Sequence, residues 1–535
     1  MLFNSYNFVF AFLPLSLTGF YILGRMGRGF GAGWLVLSSF TFYAAWNPGY
    51  VILLLGSISF NYIISTIILS NDQHPVRQRA WLAFGIGADL SVLIYYKYLG
   101  ALISLATGLG LVGLREPSIL LPLGISFFTF TQIGYLVDVQ QDVVKERSPL
   151  NYILFVTFFP HLIAGPILHN REIMPQFAQE RTYRFSMENF TVGSVIFVIG
   201  LAKKCLLADP IAEQVAAGFS TSAHLTLPGA WLLMLTYAVQ LYFDFSGYTD
   251  MAIGIARMFN VRFPVNFNSP YKASCIIDFW QRWHMTLTRL LTLYLFNPLA
   301  LAVARRRTGR GLPVDRKAQA RPLVFFEMIA FPVFVTMGLA GIWHGAGFKF
   351  LIFGLLHGTY LTINHAWRIV RPRLRAQPGR LERFGNWILT MVAMLVALVF
   401  FRAPTTGMAL NTLGIMGGSH GFGNIGLPVD LFAKSGPLGM ILAQHGSAAS
   451  TAGLKSIESV AQAGKIMLLW MIVLAMPNSQ QILCGYEPVL GRIAPNHFKR
   501  LIWRPTAMWA TVMGVVGAIA VIAIAGTTDF VYFEF

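Results

Sequence analysis

The feature that most constrains this chain is its succession of long apolar runs. They fall at about 8–23, 34–46, 50–69, 81–106, 118–138, 152–167, 190–208, 228–256, 276–303, 323–343, 350–367, 384–402, 466–476 and 506–526. A helix needs about 20 apolar residues to cross the hydrocarbon core of a bilayer. Backbone inside that core must satisfy its own hydrogen bonds, so runs of this length fold as helices. The strands of a transmembrane barrel alternate in polarity, whereas these runs are continuously apolar. Charged residues make up only 12% of the chain, against about 25% in a soluble domain. The expectation is an all-α polytopic membrane protein. Several runs are too short or too polar to span alone, so roughly 11–14 helices should be transmembrane or re-entrant. No internal repeat divides the chain, and residues 1–535 read as a single integral domain.

The net charge is +18. The basic residues cluster between apolar runs, which fits cytoplasmic loops and contact with anionic membrane lipid rather than nucleic acid. From Arg305 to Arg321 there are seven basic residues and one acidic, Asp315. From Arg368 to Arg383 there are six arginines and one acidic, Glu382. Both loops are read as cytoplasmic, so the two runs joining them form a hairpin with His344 at its turn, within the membrane or towards the outer face. The Gly/Ser-rich stretch 404–464 carries two lysines, one Asp and one Glu, and suits an outer-side loop. Arg492, Lys499, Arg500 and Arg504 mark another inside loop. Arg25 and Arg28 follow the first run, which puts Met1 outside.

Cys205, Cys275 and Cys484 are scattered, with neither metal-ligand spacing nor a disulfide framework. The first apolar run lacks a basic n-region and a small-residue cleavage site, so it reads as a helix rather than a cleaved signal. Phosphate-binding glycine loops, nucleophile elbows and zinc motifs are absent from the sequence.

Polar groups at membrane depth are costly and mark function by default. Three constellations stand out. In G-I-W-H-G-A-G-F (341–348), small residues around His344 permit close approach of a ligand. A histidine held away from water stays neutral, and a neutral imidazole is a general base. It could instead cap a helix or bond a carbonyl at the turn. In D-F-W-Q-R-W-H (278–284), Asp278 and Arg282 are four apart and can pair on one helix face. Trp280 and His284 then either line a buried site or belong to an interfacial helix with a Trp belt, the simpler reading. In F-D-F-S-G-Y-T-D-M-A-I-G (243–254), Asp244 and Asp250, with Tyr248 between them, suit a proton relay, a cation site or, preferably, partners for buried Lys and Arg such as Lys203 and Lys204. His357 reads as a packed core histidine. Region 150–300 breaks simple loop counting and should be protein interior. Two functional classes remain: an intramembrane transferase with a histidine base, and a proton-coupled exporter or flippase.

The ordered motifs resemble the membrane-bound O-acyltransferase (MBOAT) superfamily, within it the bacterial alginate O-acetylase branch. They are L-P-L-G-I-S-F-F-T-F (121–130), Y-L-V-D-V (135–139), F-F-P-H-L-I-A-G-P-I (158–167), the 243–254 motif, F-N-S-P-Y (267–271), D-F-W-Q-R-W-H-M-T-L-T (278–288), G-I-W-H-G-A (341–346), F-F-R-A-P (400–404) and the closing F-V-Y-F-E-F. The resemblance implies an MBOAT-type fold with a central channel and a catalytic core within 150–350. It implies His344 and His284 as the catalytic pair and Trp343, Asp278, Trp280, Arg282, Asp244, Tyr248 and Asp250 as channel candidates. No metal or bound cofactor is expected. Cytoplasmic acetyl-CoA would be the acyl donor. Periplasmic acetyltransferase partner proteins and an exopolysaccharide such as alginate would accept the group, in the inner membrane of a Gram-negative bacterium. One departure is that M-T-L-T-R-L-L-T-L-Y-L-F-N-P-L-A (285–300) lacks the branch's Arg-Asp pair and Gly-Gly turn, which puts donor entry or partner docking in doubt. D-alanyl transfer to teichoic acid, from a carrier protein, is the alternative within the superfamily.

Overall fold

The computed structural model describes residues 1–535 apart from 112, 114–116, 118, 221–224, 372–378, 422–462, 492, 494, 497, 527–529 and 531–535. Helices dominate it, and the strand geometry found is one isolated bridge between Pro264 and Leu490. The helices that matter here are α1 (Phe8–Met26), α2 (Arg28–Ala44), α3 (Gly49–Ser70), α4 (Pro75–Gly108), α5 (Ile125–Gln140), α6 (Met187–Ser220), α7 (Leu227–Met258), α8 (Met285–Thr308), α9 (Pro322–His344), α10 (Phe348–Val370), α11 (Arg380–Arg402), α12 (Thr406–Met416) and α13 (Ala507–Gly526).

Among the described residues, eight helices are long and apolar enough to cross a bilayer: α1, α3, α4, α6, α8, α9, α11 and α13. The remaining apolar runs become shorter or more polar elements. The run 34–46 lies within the 17-residue α2, and 118–138 yields the 16-residue α5. The run 152–167 breaks into Pro149–Thr157 and Phe159–Leu162, because Pro160 and the extended Phe158 interrupt the hydrogen-bond ladder.

The interior is organised around α7. It is 32 residues long, and its polar side chains keep it out of the spanning set. Nearly every residue from Leu233 to Met258 is buried, including Asp244, Asp250 and Arg257. Polar helices of this kind survive in a membrane protein only when protein surrounds them. Its closest neighbour is α6, and glycines set that approach. A Cβ on Gly193 would strike the Gly254 carbonyl oxygen, and one on Gly200 would strike the Gly247 carbonyl oxygen. Backbone contact there delivers Lys203 and Lys204, on a π turn of α6 (Lys203–Ala208), to the acidic residues of α7.

The expected outer loop 404–464 is only partly a loop. Thr406–Met416 is a helix, capped by the Thr405 hydroxyl, with Ala409, Thr412 and Ile415 buried. Its remainder from 422 to 462 lies outside the described residues, as do Arg492 and all of the closing motif except Phe530.

Candidate active site

The helical hairpin expected at His344 forms. α9 ends at His344, Gly345 follows as its C-cap, and α10 begins at Phe348 after Gly347 at φ 153°. The two helices touch through glycine. A Cβ on Gly341 would strike the Phe350 carbonyl oxygen, and one on Gly354 the Met337 carbonyl oxygen. That contact holds the His344 end of α9 against the first turns of α10. His344 is 5% exposed. Its ring lies against Trp343, Phe401 and Phe353, with centroids 4.8, 5.1 and 5.8 Å away.

Two cavities meet at this histidine. The larger, about 410 Å³, is lined by Met1, Leu2, Trp46, Lys97, the segment Leu120–Phe127, Trp343 and His344. The other is a narrow slot of about 20 Å³ among Trp280, Trp283, Tyr271, Phe353, His357 and Phe401, also ending at His344. His344 is therefore a septum between a wide opening and an aromatic slit. His357 is core, as its apolar helix suggests, but it also lines the slit. Trp280 donates its indole N–H to His357 Nδ1 at 3.3 Å.

The 278–284 segment folds inward. Ile276–Trp280 is a short helix, and Phe279, Trp280 and Trp283 pack against Tyr271 and His357. The interfacial Trp-belt reading is thereby corrected: these rings form the wall of the slit. Asp278 and Arg282 pair as their spacing implies, at 2.8 Å. Arg282 also donates to the Asn268 carbonyl. That pair clamps the segment and does not line either cavity at His344.

His284 is fully buried in a left-handed conformation, φ 44°. It packs edge-on against Phe245 with centroids 4.9 Å apart. Its Nδ1 is 3.1 Å from Asn266 Oδ1, which also accepts the Thr286 N–H and hydroxyl. An acceptor so placed makes Nδ1 the protonated nitrogen and leaves the lone pair on Nε2. Lys97 and His357 each share a cavity with His344, whereas His284 lines neither of the two.

The third constellation departs from the channel assignment. Asp244 lies 2.6 Å from Lys204, Asp250 lies 2.6 Å from Lys203, and Asp209 adds a second carboxylate 2.8 Å from Lys204. Ser479 donates its hydroxyl to Asp250 at 2.9 Å. Tyr248 is sandwiched between Phe3 and Phe530, at 4.8 and 4.7 Å. None of Asp244, Tyr248 and Asp250 lines either cavity at His344. The carboxylates hold buried lysines, the reading preferred from sequence.

Sequence reasoning missed Lys97 and Asn266. A lysine within the apolar run 81–106 is the signal that Lys97 offers; Asn266 offers none without the fold. Among the described residues, no cluster of three or more His, Cys, Asp and Glu side chains fits a metal ion.

Residues 138–310 match the model of a family described as MBOAT, membrane-bound O-acyltransferase. That segment includes His284 and stops short of His344. The chain is 38% identical to a peptidoglycan O-acetyltransferase of Helicobacter pylori, over 79% of this chain and 80% of the relative. It is 35% identical to a probable alginate O-acetylase of Pseudomonas aeruginosa, over 76% and 73% of the two chains. It is 28% identical to a teichoic acid D-alanyltransferase of Bacillus subtilis, over 45% and 58%.

Proposed function

This chain belongs to the membrane-bound O-acyltransferase family, and on that premise we propose that it transfers acetyl groups from cytoplasmic acetyl-CoA to an envelope glycan, with His344 as the base. The observation that carries this reading is the meeting of a wide cavity and a narrow slit at one buried histidine. A thioester fed from one side and a hydroxyl from the other need such a septum, because direct connection would leak water and hydrolyse the donor.

The charge pattern supplies the orientation. Met1 and Leu2 line the wide cavity, so it faces the periplasm and admits the acceptor. The slit lies beside α10, on which His357 is about 14 Å from Phe348 at 1.5 Å per residue, on the side of His344 nearer the basic loops. Arg305 and Arg306 are available there to attract the phosphates of CoA, whereas Arg307 is committed to Glu327 at 2.5 Å. His344 takes the hydroxyl proton as the acceptor oxygen attacks the thioester carbon. His284, held by Asn266, positions Trp283 of the slit through Phe245 and Phe267.

The acceptor is the polymer or a periplasmic partner protein that passes the acetyl group on. Relatives are named for both alginate and peptidoglycan, so the acceptor class is an envelope glycan, in the inner membrane of a Gram-negative bacterium. The test uses purified protein in proteoliposomes with labelled acetyl-CoA outside and an envelope extract as acceptor. Wild type should consume it, and His344→Ala should insert and fold while losing transfer. Consumption of a D-alanyl carrier-protein thioester in place of acetyl-CoA would replace this reading with D-alanyl transfer. Near-normal acetylation by His344→Ala would sink the histidine mechanism. Acetyl content of the cell wall and of secreted polysaccharide, compared between wild-type and deletion strains, identifies the glycan.

A further inference from the structure

Lys97 stands in α4, a membrane-spanning candidate, and lines the wide cavity together with His344. None of the ion pairs among the described residues includes it. Its ammonium donates to the Trp343 carbonyl at 2.5 Å and lies 5.7 Å from the centre of the Trp343 ring. The residue it holds is thus the immediate neighbour of His344. An ammonium offers three protons, and the carbonyl takes one. A lysine at membrane depth is costly and ordinarily pairs with an acid, as Lys203 and Lys204 do in this same protein. Among the described residues Lys97 pairs with none, and it faces a cavity where acyl transfer would create a negative charge.

We propose that Lys97 is a catalytic residue whose ammonium stabilises the oxyanion formed on the acyl carbonyl oxygen beside His344. The inference rests on the acyl-transfer reading above but on neither choice of thioester. The acceptor hydroxyl gives its proton to a ring nitrogen of His344 as its oxygen bonds to the thioester carbon. The carbonyl π pair moves onto the carbonyl oxygen, and a Lys97 N–H donates to that oxyanion. When the carbonyl re-forms, the carbon–sulfur bond breaks, and the departing thiolate takes the proton back from His344. A positive donor already held in place by its bond to the Trp343 carbonyl needs no reorganisation as the charge develops.

The test measures kcat and KM of thioester consumption by the purified full chain supplied with an envelope extract as the hydroxyl acceptor, and offered both acetyl-CoA and a D-alanyl carrier-protein thioester. Variants are Lys97→Met, Lys97→Gln and Lys97→Arg, with detergent size-exclusion and thermal unfolding alongside. Gln keeps an N–H for the Trp343 carbonyl without the charge, so it separates bracing from catalysis and serves if the Met variant fails to fold. Lys97→Met and Lys97→Gln should lower kcat by about 10²–10³-fold, the usual loss for one oxyanion donor, with KM within about two-fold. Lys97→Arg should keep at least about a tenth of the activity. Near-wild-type kcat in Lys97→Gln overturns the proposal while leaving the proposed function standing. So does a loss that Lys97→Arg shares in full. A wild-type protein that consumes neither thioester removes both.

Discussion

Lys204 and Asp244 form an ion pair of 2.6 Å in which neither side chain is more than 2% exposed, and Asp209 closes on the same ammonium at 2.8 Å. This pair joins α6 to α7 at the π turn where the glycine crossing ends. Both side chains are shielded from solvent, so Asp244 without Lys204 would be an uncompensated buried charge. The geometry argues for structure rather than proton movement.

Lys204→Met should therefore destabilise the protein by about 3–5 kcal/mol, the cost of breaking a buried pair from one side. Low yield and early thermal unfolding in detergent are the expected readouts. Lys204→Met/Asp244→Leu should recover part of the loss. The competing view of Asp244 as a proton carrier expects Asp244→Asn to fold normally and lose only turnover. A normal unfolding curve for that variant would favour the carrier.

The glycine contact between α9 and α10 offers a second test. A Cβ on Gly354 would meet the Met337 carbonyl and the Gly341 backbone, so Gly354→Ala must push the two helices apart. Overpacking of this kind costs about 1–3 kcal/mol. It also shifts His344, and misplacement by about 1 Å costs up to about 10²-fold in rate. Acetyl transfer should fall at least ten-fold while the protein still purifies as a single species. Gly385→Ala, on the exposed side of α11 with open space around its Cβ, should leave transfer unchanged.

What the sequence discloses of this fold follows from where its information is local. The hairpin at His344 is legible because two arginine-rich loops flank two apolar runs, and the positive-inside rule acts on such loops alone. The Asp278–Arg282 pair is legible because four residues make one helical turn. The 278–284 segment reads as an interfacial Trp belt from sequence, since an aromatic cluster beside a charged pair looks the same whether it faces lipid headgroups or a slit. That distinction is made by α10, which brings His357 to Trp280 from 77 residues away. Asp244 and Asp250 needed Lys204 and Lys203, delivered by a glycine crossing that no short window reveals. Thr406–Met416 hid inside a Gly-rich stretch, because its helix depends on a Thr405 cap and on burial against the core.

Asn266 and His284 should act as a unit. Asn266 Oδ1 is the acceptor that fixes the Nδ1–H form of His284. Removing it frees the imidazole to rotate or to move its proton. Asn266→Ala is expected to lower kcat at least ten-fold with little change in KM for the thioester. Asn266→Ala/His284→Ala should be no worse than His284→Ala alone, because groups that serve one role are not additive. Independent, multiplicative losses would show that Asn266 serves the packing of its own loop rather than the histidine.

His169 immediately precedes the amphipathic helix Asn170–Phe177, with an Asp138 carboxylate oxygen 4.0 Å from its Nδ1. Its Nδ1 is 2.9 Å from the Tyr294 hydroxyl, which donates to Asp138 at 2.8 Å. Burial, reinforced by Arg289 and Arg171, pushes its pKa down to about 3 from 6.5. The depressed value means that the folded protein holds His169 neutral while the unfolded chain binds a proton below pH 6.5. Between about 3 and 6.5 the unfolded state carries the extra proton, so stability rises with pH in that window and is lost as pH falls through it. Above 6.5 neither state is protonated at this site, and its contribution is flat. Wild-type protein should therefore unfold at progressively lower temperature from pH 6.5 towards pH 4.5. His169→Gln, which cannot take up a proton, should show a shallower decline over the same range. The difference between the two curves isolates His169 from the other titrating groups. Parallel curves for the two proteins would mean that His169 is protonated in the folded state as readily as in the unfolded chain.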